Sequence, residues 1–121
     1  MKCDLEKNIS YYNRSDLDLC SCEYCENYYR NIKNKFFKLE SYFKSIGVDI
    51  LKPFELVPIE YYGDKMIEYT DCMYIVFGEC EDSFSTTIDK ISLYKAKSHP
   101  DTGILEPHFV ISFGPIILDW N

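Results

Sequence analysis

Hydrophobic positions follow a helical period in the first half of the chain and a period of two in the second half. From Glu23 to Ile46, steps of about 100° per residue place the apolar side chains within about 140° of arc, which predicts one long amphipathic helix. Gly47 suits the end of this helix, and Pro53 prevents its continuation. Phe37 falls outside the apolar stripe, so it should be exposed or need a second contact. The stripe consists of Tyr24, Cys25, Tyr28, Tyr29, Ile32, Phe36, Leu39, Tyr42, Phe43 and Ile46.

The chain after the helix alternates between apolar and polar residues, which predicts strands. Residues 54–62 form the first of these, and it should be an edge strand because Pro58 has no N–H to donate. A turn follows at residues 62–65. The next strand, residues 67–77, alternates well except at Asp71, where a bend is expected. One face of this strand is predicted to carry Ile67, Tyr69, Met73, Ile75 and Phe77.

The remaining strands are less regular. Residues 84–97 form a long strand region whose alternation changes parity near Asp89 and Lys90, which indicates a bulge or a break. The pattern over residues 107–113 predicts another strand, which ends at Gly114 and Pro115. Residues 116–120 either continue this strand or form a further short strand.

These elements predict a single α+β domain over residues 1–121. It would consist of an irregular N-terminal segment (1–19), one long amphipathic helix (23–46) and an antiparallel sheet of four or five strands (54–120). The helix would pack on one face of the sheet. A chain of 121 residues is long enough for one core.

Charge is distributed unevenly along the chain. The net charge is −7, but residues 1–47 carry a balance of +1 and residues 48–121 a balance of −8. An acidic C-terminal half repels phosphates, which argues against direct binding of nucleic acid. It favours a basic protein partner. Alternatively, the acidity only keeps a small protein soluble.

A candidate partner surface lies where carboxylates and tyrosines adjoin. Tyrosine supplies contact area and carboxylates supply charge selection, although half-buried tyrosines and a solvated acidic turn would give the same pattern. The candidate residues are Glu60, Tyr61, Tyr62, Glu68, Tyr69, Glu79, Glu81 and Asp82.

The N-terminus has no apolar region of the kind found in signal peptides, and no apolar run approaches the length of a membrane span. We therefore expect a cytoplasmic protein without membrane contact. In that compartment the six cysteines should be reduced thiols or metal ligands rather than disulfides.

Three cysteines occur within six residues, in the stretch CSCEYC. Cys22 and Cys25 lie at the predicted start of the helix, and Cys20 lies two residues upstream, so three thiolates could converge on one Zn²⁺. The fourth ligand would come from elsewhere, and a histidine completing a three-cysteine, one-histidine structural site is the most specific prediction. The candidates for this ligand are Cys3, Cys72, Cys80, His99 and His108.

Two other interpretations of the cluster stay open. Reduced cysteines often pack as small hydrophobic residues, and Cys25 falls inside the apolar stripe. Alternatively, a thiol could carry out redox or nucleophilic chemistry. No phosphate-binding glycine loop, serine nucleophile motif or HExxH motif is present.

The chain resembles small bacterial proteins of similar length that have no assigned activity. The resemblance rests on CSCEYC running into a tyrosine-rich helix, on SIGVDILKPFE and KSHPDTGILEPHFVIS, and on the final LDW. In size, acidity and lack of catalytic motifs, the chain is also similar to immunity proteins of bacterial toxin systems and to small phage inhibitors of host defences.

We therefore expect a non-enzymatic acidic binding protein of immunity or inhibitor type, which masks a basic site on a toxin or defence effector. The alternative is a small zinc-binding domain with a structural site. A thiol-dependent enzyme is the third interpretation.

Overall fold

The fold is organised around one long strand. The computed structural model describes residues 1–61 and 65–121, apart from the side chains of Glu60 and Tyr61. The turn predicted at residues 62–65 therefore lies, except for Lys65, outside the described residues. The described elements are β1 (Lys2–Cys3), α1 (Leu5–Tyr12), α2 (Glu23–Asn31), a 3₁₀ turn (Ile32–Asn34), α3 (Phe37–Ser45), β2 (Glu55–Tyr61), β3 (Met66–Glu79), β4 (Ser85–Ile88), β5 (Ile91–Lys95), β6 (His108–Phe113) and β7 (Ile116–Asp119).

Strand β3 is the centre of a seven-stranded antiparallel sheet. One edge of β3 pairs with β2 and, further along, with β1. The other edge pairs with β7 and then with β6. Strand β5 joins the outer edge of β6, and β4 joins β5. The α+β class and the antiparallel arrangement are confirmed, but the predicted number of four or five strands is wrong.

The prediction of one long helix is also wrong. The helical region is divided into α2 and α3, which have nine residues each, with a 3₁₀ turn between them. Phe36, at φ −119° and ψ 75°, leaves the helical conformation before α3 begins. The apolar stripe itself is confirmed, since all ten of its residues lie in the main core or pack against it. Phe37 is 66% exposed, as its position outside the stripe indicated.

Asparagine side chains account for the break. Asn31 Nδ2 donates to the Asn27 carbonyl at 2.9 Å, and Asn34 Nδ2 donates to the Arg30 carbonyl at 3.3 Å. Such side chains compete for the carbonyls of the preceding turn and weaken a helix. A distant residue then helps α3 to begin, because the Asp89 carboxylate accepts the Leu39 N–H at 2.9 Å.

The N-terminal segment, predicted to be irregular, contains β1 and α1. Two polar residues on one face of α1 complete the edge of β3 in the gap between β2 and β1. Asn8, fully buried, accepts the Phe77 N–H at 2.7 Å and donates to the Ile46 carbonyl at 2.9 Å. The Tyr12 hydroxyl donates to the Ile75 carbonyl at 2.6 Å. Helix α1 is therefore held by hydrogen bonds that hydrophobic periodicity does not reveal.

The predicted bend at Asp71 has a larger effect than expected. Ile67 and Tyr69 lie in the main core, but Met73, Ile75 and Phe77 lie in a smaller cluster on the opposite face, so the prediction that all five share one face is wrong. The pairing of β3 with β2 shifts register here. On the other side of β3, Gly114 lies so close that a β-carbon would approach the Thr70 carbonyl oxygen to 2.3 Å. An irregularity of this kind changes the side-chain alternation.

Two other strand predictions are confirmed. The break near Asp89 and Lys90 is a hairpin turn between β4 and β5, in which both residues have positive φ (53° and 65°), as type I′ turns require. Among the described strands, β2 pairs with β3 alone, and Pro58 lies at its register shift. The main core lies between the sheet and helices α2 and α3, where the Phe43 ring meets Tyr74 edge-on at 4.7 Å.

Replacing Asn8 by alanine should lower the free energy of unfolding by about 1–3 kcal/mol, because the substitution leaves a buried N–H and a buried carbonyl unpaired. Urea denaturation followed by circular dichroism measures this change. Ser10→Ala, on the exposed face of the same helix, is the matched control and should change stability by less than about 0.5 kcal/mol. Equal stability of the two variants would show that α1 does not complete the β3 edge.

Candidate metal centre

The three clustered cysteines lie together at the start of α2. Cys22 immediately precedes the helix in an extended conformation (φ −68°, ψ 163°), and Cys25 lies in its first turn. The Cys22 backbone N–H donates to Cys20 Sγ at 3.5 Å, which turns that sulfur back towards the helix. The Sγ atoms of Cys20, Cys22 and Cys25 all lie within 4.8 Å of one another. The predicted convergence of the three thiols is therefore present.

The cluster lies at the boundary between core and solvent. Cys20 and Cys22 are exposed, whereas Cys25 is only 8% exposed and belongs to the main core. The Tyr29 hydroxyl donates to the Cys20 carbonyl at 2.8 Å and so fastens the segment before the helix to the second turn of α2. Burial, followed by the charges of the nearby cysteines, raises the pKa of Tyr29 to about 12, so this hydroxyl keeps its proton. Sequence reasoning placed Tyr29 only in the apolar stripe.

Helix α2 is fixed by the last residues of the chain. Asn27 is fully buried; its Nδ2 donates to the Asp119 carbonyl at 2.8 Å, and its Oδ1 accepts the Asn121 N–H at 3.0 Å. The Tyr69 hydroxyl donates to the Tyr24 carbonyl at 2.6 Å. These contacts position the first turns of α2, and with them Cys22 and Cys25. Asn27 is polar and lies outside the apolar stripe, so periodicity gave no signal for it.

The surroundings of Cys22 and Cys25 shift the pKa values of their thiols in opposite directions. Desolvation raises the pKa of Cys22, but hydrogen bonds from the backbone N–H of Cys25 and with the thiols of Cys20 and Cys25 outweigh it, so that the pKa of Cys22 is lowered from its usual value. Desolvation, followed by the neighbouring thiols, raises the pKa of Cys25 well above its usual range. Of these two thiols, Cys22 is therefore the one that loses its proton more readily.

Three sulfur donors in this arrangement can hold a metal ion. Zinc is bound by thiolates at about 2.3 Å, so two sulfurs of a tetrahedral site are roughly 3.8 Å apart. Sulfurs already within 4.8 Å need only small side-chain rotations to reach that spacing. Thiolates also favour zinc and other thiophilic ions over magnesium or calcium.

The structure does not bring the predicted histidines to the cluster. Among the described residues, the potential ligand group contains only the three cysteines. The Nε2 atom of His108 lies 2.7 Å from the Thr102 hydroxyl and its Nδ1 atom 2.8 Å from the Glu106 carbonyl. His99 lies against the Phe54 ring. In the described part of the chain, the two histidines contact the rings of Phe54 and Phe77, which belong to or pack against the smaller cluster on the other face of the sheet.

The other cysteines, Cys3, Cys72 and Cys80, contribute to packing. Cys72 is fully buried in the main core, and Cys3 and Cys80 are partly buried against it. None of them belongs to the three-sulfur group found among the described residues.

The candidate partner surface is only partly available for contacts. Tyr69 is fully buried, so the assignment of Tyr69 to this surface was wrong. Glu79 is exposed, and Glu68 is half-buried. Glu81 pairs with the N-terminal ammonium at 2.9 Å, and Asp82 pairs with Lys95 at 2.8 Å. The side chains of Glu60 and Tyr61, and all of Tyr62, lie outside the described residues.

No known protein family, curated protein or solved structure matches this sequence. The similarity to toxin-immunity proteins and phage inhibitors thus stays a prediction.

Within the part of the chain that the structure describes, no helix has the length and apolar character needed to cross a membrane.

In metal-free protein at neutral pH, iodoacetamide should alkylate Cys22 several-fold faster than Cys80. The thiolate is the reacting species, and the pKa of Cys22 is lowered whereas burial and Glu81 raise that of Cys80. As the pH rises above 9, the rate at Cys80 should approach that at Cys22. Mass spectrometry of the modified peptides over time gives both rates. Faster reaction of Cys80 at neutral pH would contradict the assigned environments.

Proposed function

We propose that this chain is a small metal-binding protein that holds a thiophilic divalent ion, most suitably Zn²⁺, with Cys20, Cys22 and Cys25. The observation that supports this proposal is the convergence of the three Sγ atoms within 4.8 Å at the start of a rigidly held helix. Three sulfur donors at one point are the donor set that zinc and other thiophilic ions prefer.

The proposed role of the ion is structural. Residues 13–22 contain no helix or strand, and most of them are exposed. The hydrogen bonds that connect the end of this segment to α2 include the bond from the Tyr29 hydroxyl to the Cys20 carbonyl and the bond from the Glu26 N–H to the Cys22 carbonyl. An ion bound to all three cysteines would add bonds of much greater strength between this segment and the helix.

Protein purified without chelator should contain about one zinc ion per chain, and Cys20→Ser or Cys22→Ser should remove most of it, because each loses one of three thiolate ligands. Elemental analysis gives the stoichiometry. Substitution by Co²⁺ should add the charge-transfer absorption of cobalt–thiolate bonds. Cys80→Ser, a cysteine outside the cluster, is the matched control and should retain the metal. Folded protein that contains no metal and takes up no Co²⁺ would refute the proposal.

The uneven charge of the chain favours a second candidate function. We propose, as the alternative, an acidic binding protein of immunity or inhibitor type whose surface masks a basic site on a protein partner. The balance of −8 over residues 48–121 supports this candidate. A structural metal site is compatible with it, because the two features involve different parts of the chain.

This second candidate predicts that affinity isolation from the native host recovers one dominant basic protein, with binding that weakens as salt is added. Glu79→Gln should lower the affinity a few-fold, because Glu79 is an exposed member of the candidate surface. Glu6→Gln, an exposed carboxylate in the N-terminal half, is the control. Binding that is insensitive to salt and to Glu79→Gln would exclude the charge-masking role.

A further inference from the structure

The cysteine cluster has a second chemical capacity that does not require a metal. Cys22 and Cys25 lie three residues apart at the start of one helix, and their sulfurs are within 4.8 Å. A disulfide needs a sulfur–sulfur distance of about 2.05 Å and β-carbons about 3.5–4.5 Å apart. Sulfurs within 4.8 Å of each other can approach the bonding distance by rotation of the two side chains. One of the two thiols is exposed and the other is buried.

We propose that the metal-free cluster is a dithiol redox centre, in which Cys22 attacks and Cys25 resolves, and whose substrates are small-molecule disulfides. The exposed Cys22 sulfur is open to a substrate from solvent, whereas Cys25 faces the main core behind it. This assignment goes beyond the proposed metal binding and does not depend on it.

The third thiol is less suited to the pair. Cys20 and Cys22 are separated by one residue, and closing so short a ring would strain the backbone. Cys20 also lies on the segment before the helix, where the Tyr29 hydroxyl holds its carbonyl. Cys22 and Cys25, in contrast, keep a spacing set by α2, whose position is fixed by the contacts of Asn27 with Asp119 and Asn121.

The reaction balances as an ordinary thiol–disulfide exchange. The Cys22 thiolate attacks one sulfur of the substrate disulfide, forms a mixed disulfide and releases the first substrate thiolate. Cys25 gives its proton to that thiolate, attacks Cys22 Sγ and releases the second thiolate, which takes a proton from solvent. In total the protein loses two protons and two electrons, and one substrate disulfide becomes two thiols.

The test uses reduced, metal-free full-length protein and oxidised glutathione. Intact mass should fall by two hydrogens, with release of two equivalents of glutathione. Cleavage after Glu23 separates Cys25 from Cys20 and Cys22. Two fragments joined by a disulfide, together with alkylation of the remaining thiol at Cys20, identify the Cys22–Cys25 bond and distinguish it from any bond between other cysteines.

Variants separate the roles of the thiols. Cys25→Ser should accumulate the mixed disulfide on Cys22, and Cys22→Ser should slow oxidation of the cluster at least about tenfold. A bond that includes Cys20 in the unmodified protein, or unchanged oxidation of Cys22→Ser, would overturn the proposal.

Cys20→Ser distinguishes this proposal from metal binding. If both proposals hold, the variant loses zinc but still forms the Cys22–Cys25 bond. Failure to form that bond, despite zinc binding by the unmodified protein, would refute the redox proposal alone. Formation of the bond in an unmodified protein that takes up no zinc or Co²⁺ would refute only metal binding.

Discussion

The fold depends on pairing the backbone of β3 along both of its edges. This strand has 14 residues and crosses the centre of the sheet, where unpaired N–H and carbonyl groups would be costly. No single partner strand covers either edge. Two strands, β6 and β7, follow one another along one edge, and β2 and β1 do so along the other. In the gap between β2 and β1, Asn8 and Tyr12 supply the missing hydrogen bonds from a helix.

This arrangement also determines where the cysteine cluster lies. Strand β7 pairs with the start of β3, and the residues at and beyond its end bind the Asn27 side chain. Tyr69, on β3, binds the Tyr24 carbonyl in the first turn of α2. The beginning of the helix is thus connected to both the central strand and the last residues of the chain. Metal binding and disulfide formation at the cluster would both use a backbone that these distant contacts hold in place.

The tyrosines show how composition can suggest one role and structure another. The chain has eleven tyrosines, and the sequence placed three of them, Tyr61, Tyr62 and Tyr69, in the candidate partner surface. Several lie in the interior, where their hydroxyls bind backbone carbonyls or each other. Tyr74 donates to the Ile50 carbonyl at 2.7 Å and shares a hydrogen bond with Tyr28, and both side chains are fully buried. Periodicity placed Tyr28 on the buried face correctly, but no sequence pattern identifies the partner of a buried hydroxyl.

The sequence by itself determined the apolar stripe, the approximate positions of β2 to β7 and the meeting of three thiols, because these follow from periodicity and from spacing of a few residues. Only the tertiary structure decided the break between α2 and α3, the change of face at Asp71 and the role of α1. Each depends on contacts between residues far apart in the chain, such as Asp89 with Leu39, Gly114 with Thr70 and Asn8 with Phe77. The two histidines lie apart from the cysteines for the same reason, because the tertiary structure determines which distant side chains come into contact.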